Sequence, residues 1–267
     1  MSSWTLRFIR SMADLWPISR LYEAVLFNQV SEGPMPSHIG MILDGNRRWA
    51  RERNLSGLEG HREGARKLES VLSWFDELGI GAVTLYALST ENLSRTPDEV
   101  RDILSVIETY LEKAIEEQVF KTRGVRVKFL GERGLLPTRI TELMEELEAD
   151  TSKNNGSFLN VAIGYGGRRE IVNAVRKMVT LAAKGFLSPE EVNEDLVGGF
   201  LYTAHLPNPD PDLIIRTSGE LRSSNFLLWQ SAYSELFFLD IYWPDFRKID
   251  LLRAIRSYQR RDRRFGK

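Results

Sequence analysis

The chain has 267 residues, of which 42% are hydrophobic and 27% are charged, and its formal net charge is −1. This balance is typical of a globular protein and lacks the broad basic field of a nucleic-acid-binding protein. Cysteine is absent and only three histidines are present, which excludes disulfides, thiolate metal sites and a cysteine nucleophile. A bound metal should therefore be a hard ion held by oxygens, and magnesium is the leading candidate.

The N-terminal segment has apolar residues at helical spacing from Trp4 to Trp16, with arginines between them. It lacks the unbroken apolar run of a signal peptide, and no run in the chain reaches ~18 apolar residues, so we expect a cytoplasmic protein. The segment is either a helix packed on its own domain or a peripheral membrane contact through residues 4–28. We expect residues 1–34 to form this amphipathic segment and 35–267 to form one domain.

Apolar runs and longer helical patterns alternate along the rest of the chain. The candidate strands are Ile39–Leu43, Ala82–Ala87, Val125–Leu130, Leu159–Ile163, Leu213–Ile215 and Leu236–Leu239. The candidate helices lie near Gly60–Leu78, Pro97–Lys121, Pro137–Lys153, Arg168–Lys184 and Ile249–Arg264. This alternation predicts an α/β fold, a single domain with a mostly parallel central sheet of about six strands flanked by helices.

Three segments contain residue types that favour either the start of a helix or a loop. Thr96–Glu99 (TPDE) and Ser188–Glu191 (SPEE) combine a capping hydroxyl, a proline and a glutamate at the spacing of a helix start, so each predicts one. His205–Leu213 contains three prolines and predicts a loop.

Four polar clusters directly follow apolar runs. They are DGNRR (Asp44–Arg48), STENLSR (Ser89–Arg95), GYGGRRE (Gly164–Glu170) and RTSGELRSSN (Arg216–Asn225). Ligands of parallel α/β sheets bind beyond the carboxyl ends of the strands, so these clusters predict where the site lies.

In the first cluster, Gly45 permits a sharp turn, and Asn46 can cap a following helix whose free N–H groups favour an anion. Arg47 and Arg48 add forked donors for phosphate oxygens. The single carboxylate, Asp44, fits a magnesium ion that bridges it to a diphosphate. A helix cap with a surface charge is the competing interpretation.

The second and third clusters are less specific. Asn92 can orient a group or accept a proton through its amide, and the Arg95 guanidinium offers another pair of forked donors for phosphate oxygens. A polar turn before the helix at Thr96 would also explain both residues. The glycines of GYGGRRE fit neither the Walker pattern nor the dinucleotide pattern, so packing at a strand-to-helix turn is the better interpretation.

The fourth cluster could bring Arg216, Arg222 and Ser224 to one anion, with Gly219 permitting a tight turn. Two arginine-rich clusters at strand ends suggest two phosphorylated ligands side by side. Glu235, farther along, could join the metal or support the arginines, or it could simply lie at the edge of the core.

Six stretches now identify a resemblance, and they are HIGMILDGNRRWA, TLYALSTENLSR, LNVAIGYGGRREIVNAV, DLIIRTSGELRSSNFLLWQSAYSELFF, WPDF and RRDRRFG. In order and spacing they resemble the cis-prenyltransferases, the family of undecaprenyl and dehydrodolichyl diphosphate synthases, over residues 35–267. The resemblance is closer to the archaeal and eukaryotic branch. It implies Mg²⁺-dependent condensation of isopentenyl diphosphate with an allylic diphosphate, forming Z-polyprenyl diphosphates for glycosyl-carrier lipids, in a homodimer.

The resemblance also implies roles for single residues. Asp44 corresponds to the catalytic metal-binding aspartate and Glu235 to the glutamate linked to the metal. The allylic diphosphate is implied to contact Gly45, Asn46, Arg47, Arg48 and Trp49, with His61 nearby. The isopentenyl diphosphate is implied to contact Arg216, Arg222 and Ser224. The remaining implied site residues are Ser89, Glu91, Asn92 and Arg95, with Asn92 in catalysis, and Arg264 and Gly266, which reach a neighbouring subunit.

The growing hydrocarbon needs an apolar tunnel, for which the candidates are Leu68, Val71, Leu72, Phe75, Val106, Ile107 and Leu111. Some positions depart from the family pattern. Gly57 stands where bacterial members carry an arginine, and Leu88 and Leu93 replace common aromatic residues.

Two alternatives to a Z-polyprenyl diphosphate synthase remain. One is a non-catalytic subunit or a specialised homologue with an altered acceptor or regiochemistry, although such subunits tend to lose the Asp44 loop. The other, outside the family, is a protein that binds or hydrolyses diphosphates in a two-anion cleft.

Overall fold

The computed structural model describes residues 16–261, with side chains from Ser19 onward. Predictions that concern residues 1–15, Arg264 and Gly266 lie outside this range. The described chain forms two compact units, one made of residues 16–35 and 246–261 and the other of residues 36–245. No helix between residues 16 and 261 is long and apolar enough to cross a membrane.

The smaller unit pairs the helix α1 (Trp16–Ser31) with the helix α9 (Lys248–Gln259). The Gln259 side chain donates to the Val30 carbonyl at 2.8 Å, and Lys248 lies 4.8 Å from the centre of the Phe27 ring. The C-terminal helix α9 therefore groups with α1 in one compact unit.

The larger unit contains a six-stranded sheet in which every pairing is parallel. Its strands are β1 (His38–Ile42), β2 (Ala82–Ser89), β3 (Val125–Leu130), β4 (Ser157–Tyr165), β5 (Leu213–Arg216) and β6 (Glu235–Phe238), in the order β3-β4-β2-β1-β5-β6. All five residues of β1 are buried, as expected of a central strand covered on both faces. The predicted α/β class and all six strands are confirmed.

The helices of the larger unit are α2 (Asn46–Glu52), α3 (Gly57–Glu77), α4 (Pro97–Glu116), α5 (Val119–Thr122), α6 (Thr138–Thr151), α7 (Gly167–Ala183) and α8 (Glu194–Gly199). Thr96 caps α4 as predicted, accepting from the Glu99 N–H. The predicted helix Pro97–Lys121 is interrupted at Gln118, which takes a left-handed φ of 47°. After Ser188 only a 3-10 turn forms, because the chain becomes extended and Asn193 caps α8.

One face of the sheet is covered by α3, α4 and α6, and a cavity of about 370 Å³ lies between α3, α4 and the strands. Its lining includes Leu68, Leu72, Val106, Ile107 and Leu111, five of the residues expected to face an apolar space. The other two, Val71 and Phe75, do not line it and belong to the buried core. The opposite face packs Tyr86, Tyr165 and Phe226 into a second cluster.

Candidate active site

The first and fourth polar clusters meet at the carboxyl edge of the sheet, between β1 and β5. The chain continues from β1 to β2 on one side, whereas β5 pairs on the other, so this is the switch point where α/β proteins bind ligands. The Asp44 N–H donates to the Thr217 hydroxyl at 3.0 Å, and that hydroxyl donates to the Asp44 carbonyl at 2.7 Å. These bonds lock the loop after β1 to the loop after β5.

The Asp44 carboxylate lies between two guanidinium groups. Its oxygens are 2.8 Å from Arg216 Nη2 and 3.2 Å from Arg48 Nη2. Partial burial on its own would raise the pKa of Asp44, but hydrogen bonds from Arg216 and Ser218 and the nearby positive charges outweigh it and hold the pKa below its ordinary value. Asp44 is therefore ionised at neutral pH and available to a cation.

Arg216 is the buried anchor of the fourth cluster, with only 4% of its surface exposed. Its Nη1 donates to the Ser224 hydroxyl at 2.6 Å and to the Arg222 carbonyl. Its Nε is buried and has no partner among residues 16–261. Because an unpaired buried donor is costly, an anion beside this fork would be stabilised.

The turn into α2 requires glycine at position 45. Gly45 has a φ of 108°, and a Cβ there would lie 2.8 Å from the Tyr242 ring and 3.1 Å from Ser218 Cβ. Gly45 is also the N-cap, with no side-chain cap, so the prediction that Asn46 caps the helix is wrong. Asn46 is the first helical residue, and its side-chain oxygen is buried without a partner within the described chain.

The remaining residues of the first cluster point in different directions. Arg48 joins the Asp44 group and also contacts Glu220 at 3.1 Å and the Ser218 hydroxyl at 2.6 Å. Arg47 forms an ion pair with Glu99 of α4. Trp49 donates its indole N–H to Asp245 at 2.8 Å, so its ring N–H is engaged away from the Asp44 carboxylate.

In the second cluster, Ser89 and Asn92 bond to each other's backbone. The Asn92 N–H donates to the Ser89 hydroxyl at 3.1 Å, and the Ser89 N–H donates to Asn92 Oδ1 at 3.2 Å. The Arg95 guanidinium makes no hydrogen bond or ion pair with the side chains of residues 19–261, and burial together with the charge of Arg47 lowers its pKa. Arg95 therefore offers unused donors to an anionic ligand.

Glu91 does not present a free carboxylate. It accepts from the Asn225 side-chain amide at 2.9 Å and from the Thr90 hydroxyl at 3.2 Å. Burial alone would raise the pKa of Glu91, but these hydrogen bonds and one from Ser89 lower it. The second cluster is thus joined to the fourth.

Arg222 extends into solvent, with 63% of its side chain exposed, and pairs with Glu220 at 2.5 Å. Its backbone carbonyl accepts from Arg216, while Ser224 meets the buried guanidinium directly. Of the three residues predicted for this anion site, Arg216 and Ser224 are therefore in contact, and the Arg222 guanidinium is displaced toward Glu220.

Glu235 does not lie beside Asp44 within one chain. It is the first residue of β6 and pairs in register with Leu213, which in turn pairs with Ile39. At ~3.3 Å per residue, this puts Glu235 roughly 15 Å from Asp44 along the strand direction. A single chain therefore does not bring these two carboxylates to one ion.

The donors at the edge nevertheless fit magnesium. No group of three or more acidic or histidine side chains that could hold a metal occurs in the described part of the chain. Magnesium usually takes one or two carboxylates and completes its shell with water and substrate phosphates. The ionised Asp44, next to a cluster of arginine side chains, fits that requirement.

His61, Leu43 and Asn46 are among the residues that line the cavity. Because Leu43 directly precedes Asp44, this part of the cavity lies next to the arginine cluster. Burial, together with the charges of Arg95 and Arg47, lowers the pKa of His61 to about 4. His61 is therefore a neutral imidazole at physiological pH.

We expect His61 to contribute no step to the pH–rate profile between about pH 5 and pH 8, because a group with so low a pKa does not titrate there. Profiles of the wild type and of His61→Gln should have the same shape, whatever their absolute rates. Loss of an acidic limb near about pH 6 in the variant would contradict a neutral His61.

Several residues at this edge were not predicted from the sequence as site residues. They are Thr217, Ser218, Glu220, Asn225 and Tyr242. All lie within or next to the stretches that carry the resemblance, but nothing in their type or spacing indicates that they contact Asp44, Arg48 or Glu91. The glycines of GYGGRRE serve packing, as expected: a Cβ at Gly167 would lie 2.9 Å from the Leu228 side chain.

Comparison with known proteins gives the family. Residues 42–266 match the Prenyltransf family of undecaprenyl diphosphate synthases. The chain is 51% identical over 254 residues to the tritrans,polycis-undecaprenyl-diphosphate synthase (geranylgeranyl-diphosphate specific) of Methanopyrus kandleri, covering 95% of this chain and 93% of that protein. It is 49% identical over 262 residues to the isoprenyl transferase of Thermus thermophilus, covering 97% and 99%.

The fold matches as well. Lavandulyl diphosphate synthase from Lavandula x intermedia, solved in complex with dimethylallyl diphosphate, superposes with a TM-score of 0.84 and 34% identity, covering 90% of this chain and 100% of that one. The family match spans most of the chain and includes both arginine clusters. The chain therefore belongs to the undecaprenyl diphosphate synthase family and is a prenyltransferase.

Proposed function

We propose that this enzyme condenses isopentenyl diphosphate with an allylic prenyl diphosphate and gives a Z-polyprenyl diphosphate for glycosyl-carrier lipid synthesis. The observation that carries the proposal is the position of Asp44, which contacts arginines of two clusters and follows Leu43 in the wall of an apolar cavity. Geranylgeranyl diphosphate is the proposed starter, because the Methanopyrus kandleri relative is named as specific for it.

The two clusters divide the two diphosphates between them. Arg47, Arg48 and the uncapped first turn of α2 suit the allylic diphosphate, whose negative charge grows as it departs. Arg216 and Ser224 suit the diphosphate of isopentenyl diphosphate. The fixed donors on the allylic side stabilise the leaving pyrophosphate without having to reorganise during the reaction.

The bond changes follow from this placement. The allylic C1–O bond breaks, C1 bonds to the terminal methylene carbon of isopentenyl diphosphate, and pyrophosphate leaves. A proton is then lost and the new double bond forms. The amide oxygen of Asn92, held by the Ser89 N–H, is the proposed orienting group for the proton loss.

We propose Asp44 as the residue that holds Mg²⁺, with diphosphate oxygens as the other ligands. When bound, the ion neutralises charge on the departing pyrophosphate. The ionised state of Asp44 and its distance of 2.8 Å from the Arg216 fork support this role.

The cavity is proposed to hold the growing hydrocarbon. Its walls are mostly apolar, and it begins at His61 and continues along α4 to Ala114 and Glu117. At about 1.5 Å per residue, Ala114 lies roughly 16 Å along α4 from Ile103, the first residue of α4 that lines the cavity. Ala65 also lines the cavity and lies one turn after His61.

A tryptophan at Ala114 should shorten the product, because it fills the distal cavity while leaving the diphosphate sites intact. Ala65→Trp is the matched control, since the same enlargement of the side chain close to His61 should suppress turnover rather than shift the length of the product chain. Mass analysis of the products distinguishes the two effects. An unchanged product length in Ala114→Trp would exclude this cavity as the chain-binding space.

The reaction is tested by incubating purified protein with Mg²⁺, isopentenyl diphosphate and a panel of allylic diphosphates, followed by product mass and double-bond geometry. We expect Z-polyprenyl products, with geranylgeranyl diphosphate preferred. No condensation from any starter would overturn the catalytic proposal in favour of a supporting subunit. A product formed from dimethylallyl diphosphate alone would favour the specialised alternative suggested by the lavandulyl diphosphate synthase fold.

We propose that the enzyme is a homodimer. Val172, Val175 and Val179 lie on one face of α7 and are 46% to 61% exposed. Tyr233 just before β6 and Leu236 within it are also exposed, and β6 is a strand at the edge of the sheet. Exposed apolar faces of this kind mark association surfaces, and a monomer in light scattering would contradict the proposal.

Peripheral membrane contact through residues 4–28 is proposed from the described part of α1. Leu21 and Val25, one turn apart, are 68% and 46% exposed. Such a face can rest on a bilayer surface. Vesicle flotation tests the contact, and binding that survives the double change of Leu21 and Val25 to glutamate would locate it elsewhere.

A further inference from the structure

The turn that holds Ser224 has an unfavourable backbone. Ser224 and Asn225 have φ values of +49° and +66°, and left-handed backbone of this kind costs free energy for any residue with a Cβ. Ser224 accepts from the buried Arg216 fork at 2.6 Å. Two consecutive left-handed residues beside an anion site persist only if their surroundings hold them.

Asn225 supplies that support through three hydrogen bonds. Its carbonyl accepts from the Gly167 N–H at 2.7 Å, and its Oδ1 accepts from the Arg168 N–H at 2.9 Å. Its Nδ2 donates to Glu91 at 2.9 Å. Asn225 thus caps the first turn of α7 from a distant loop and ties that loop to the second polar cluster.

The glycines of GYGGRRE allow Asn225 to pack directly against the backbone at the start of α7. A Cβ at Gly166 would lie 2.7 Å from Asn225 Nδ2, and one at Gly167 would lie 3.1 Å from the Asn225 carbonyl oxygen. The Tyr86 hydroxyl donates to the Ser224 carbonyl at 3.2 Å and fixes the other side of the turn. The glycine cluster therefore has a specific structural purpose, which is close approach of the loop that carries Ser224.

We propose that Asn225 is a positioning residue for the second diphosphate site and that Glu91 acts as its hydrogen-bond partner rather than as a substrate contact. By fixing the left-handed turn, Asn225 sets where Ser224 and the Arg216 fork meet. This inference rests on the proposed function, because it concerns the site assigned to isopentenyl diphosphate. It predicts that substrate affinity depends on which residue of the Asn225–Glu91 pair donates the hydrogen bond and which accepts it, and not only on whether the bond forms.

A double-mutant cycle tests this dependence on donor and acceptor. Asn225→Asp keeps the acceptor for Arg168 but sets a carboxylate against Glu91, so the KM for isopentenyl diphosphate should rise at least about tenfold while the KM for the allylic substrate changes little. In a Glu91→Gln background, the glutamine amide can donate to the introduced carboxylate. The double variant should therefore return to within about threefold of Glu91→Gln alone.

Asn225→Gly is the folding control, since glycine tolerates the left-handed φ while losing both side-chain bonds. Its melting temperature should be close to that of the wild type, and its KM for isopentenyl diphosphate should still be raised. Wild-type affinity in both Asn225→Asp and Asn225→Gly would overturn the inference, as would a double variant no better than Asn225→Asp. An inactive wild-type enzyme would instead count against the proposed function, so the two failures are distinguishable.

Discussion

Asp44→Asn is expected to lower kcat by roughly a thousandfold, because an amide removes the charge that holds the metal and balances the two arginines. Asparagine keeps nearly the same volume and a hydrogen-bond acceptor for Arg216, so the variant should still fold. The measurement is the rate of condensation under saturating substrates, together with a thermal melt.

Glu112→Gln is the matched control for that variant. Glu112 pairs with Arg139 at 2.7 Å on the surface, with 40% of its side chain exposed, and exposed ion pairs contribute little to stability. The same chemical change there should leave kcat within about twofold of wild type. A kcat for Asp44→Asn as high as that of the control would refute the metal role of Asp44.

Arg216→Lys is expected to reduce kcat/KM for isopentenyl diphosphate by roughly a hundredfold. The arginine fork reaches Asp44, Ser224 and the Arg222 carbonyl at the same time. A lysine ammonium is a point charge that cannot span those partners and an anion as well. Steady-state kinetics with isopentenyl diphosphate as the varied substrate measures the loss.

Arg222→Lys provides the comparison, since the Arg222 side chain is 63% exposed while that of Arg216 is 5% exposed. An exposed charge is screened by solvent and easily replaced, so its conservative change should cost several times less. If Arg222→Lys proved as damaging as Arg216→Lys, the buried fork would not be the principal diphosphate contact.

The sheet and the place of the site could be predicted from the sequence because both depend on local patterns. Continuous apolar runs such as Ile39–Leu43 mark strands buried on both faces. Since parallel strands end at one edge, polar residues directly after β1 and β5 had to lie near one another. The contact between Asp44 and Arg216, 172 residues apart, follows from that rule.

Details that depend on distant neighbours could not be predicted in the same way. Gly45 rather than Asn46 occupies the N-cap position of α2, and Tyr242 and Ser218 leave no room for a Cβ at that position. The carboxylate of Glu91 is engaged by Asn225, 134 residues away, and no periodicity indicates such a pair.

For Glu235, by contrast, the sequence pattern predicts the position correctly. The predicted strand Leu236–Leu239 already implies that this residue lies at the amino end of β6, away from the edge where Asp44 lies. Its metal role was suggested by its acidic side chain and by the resemblance, and the register within one chain gives that role no support.

The most direct test of the central claim is a crystal structure with Mg²⁺, isopentenyl diphosphate and an unreactive thio-analogue of an allylic diphosphate. One diphosphate should lie against Arg47, Arg48 and the first turn of α2, and the other against Arg216 and Ser224, with Asp44 on the ion. The allylic hydrocarbon should enter the cavity past His61. A diphosphate bound away from either cluster, or a hydrocarbon outside the cavity, would contradict the claim.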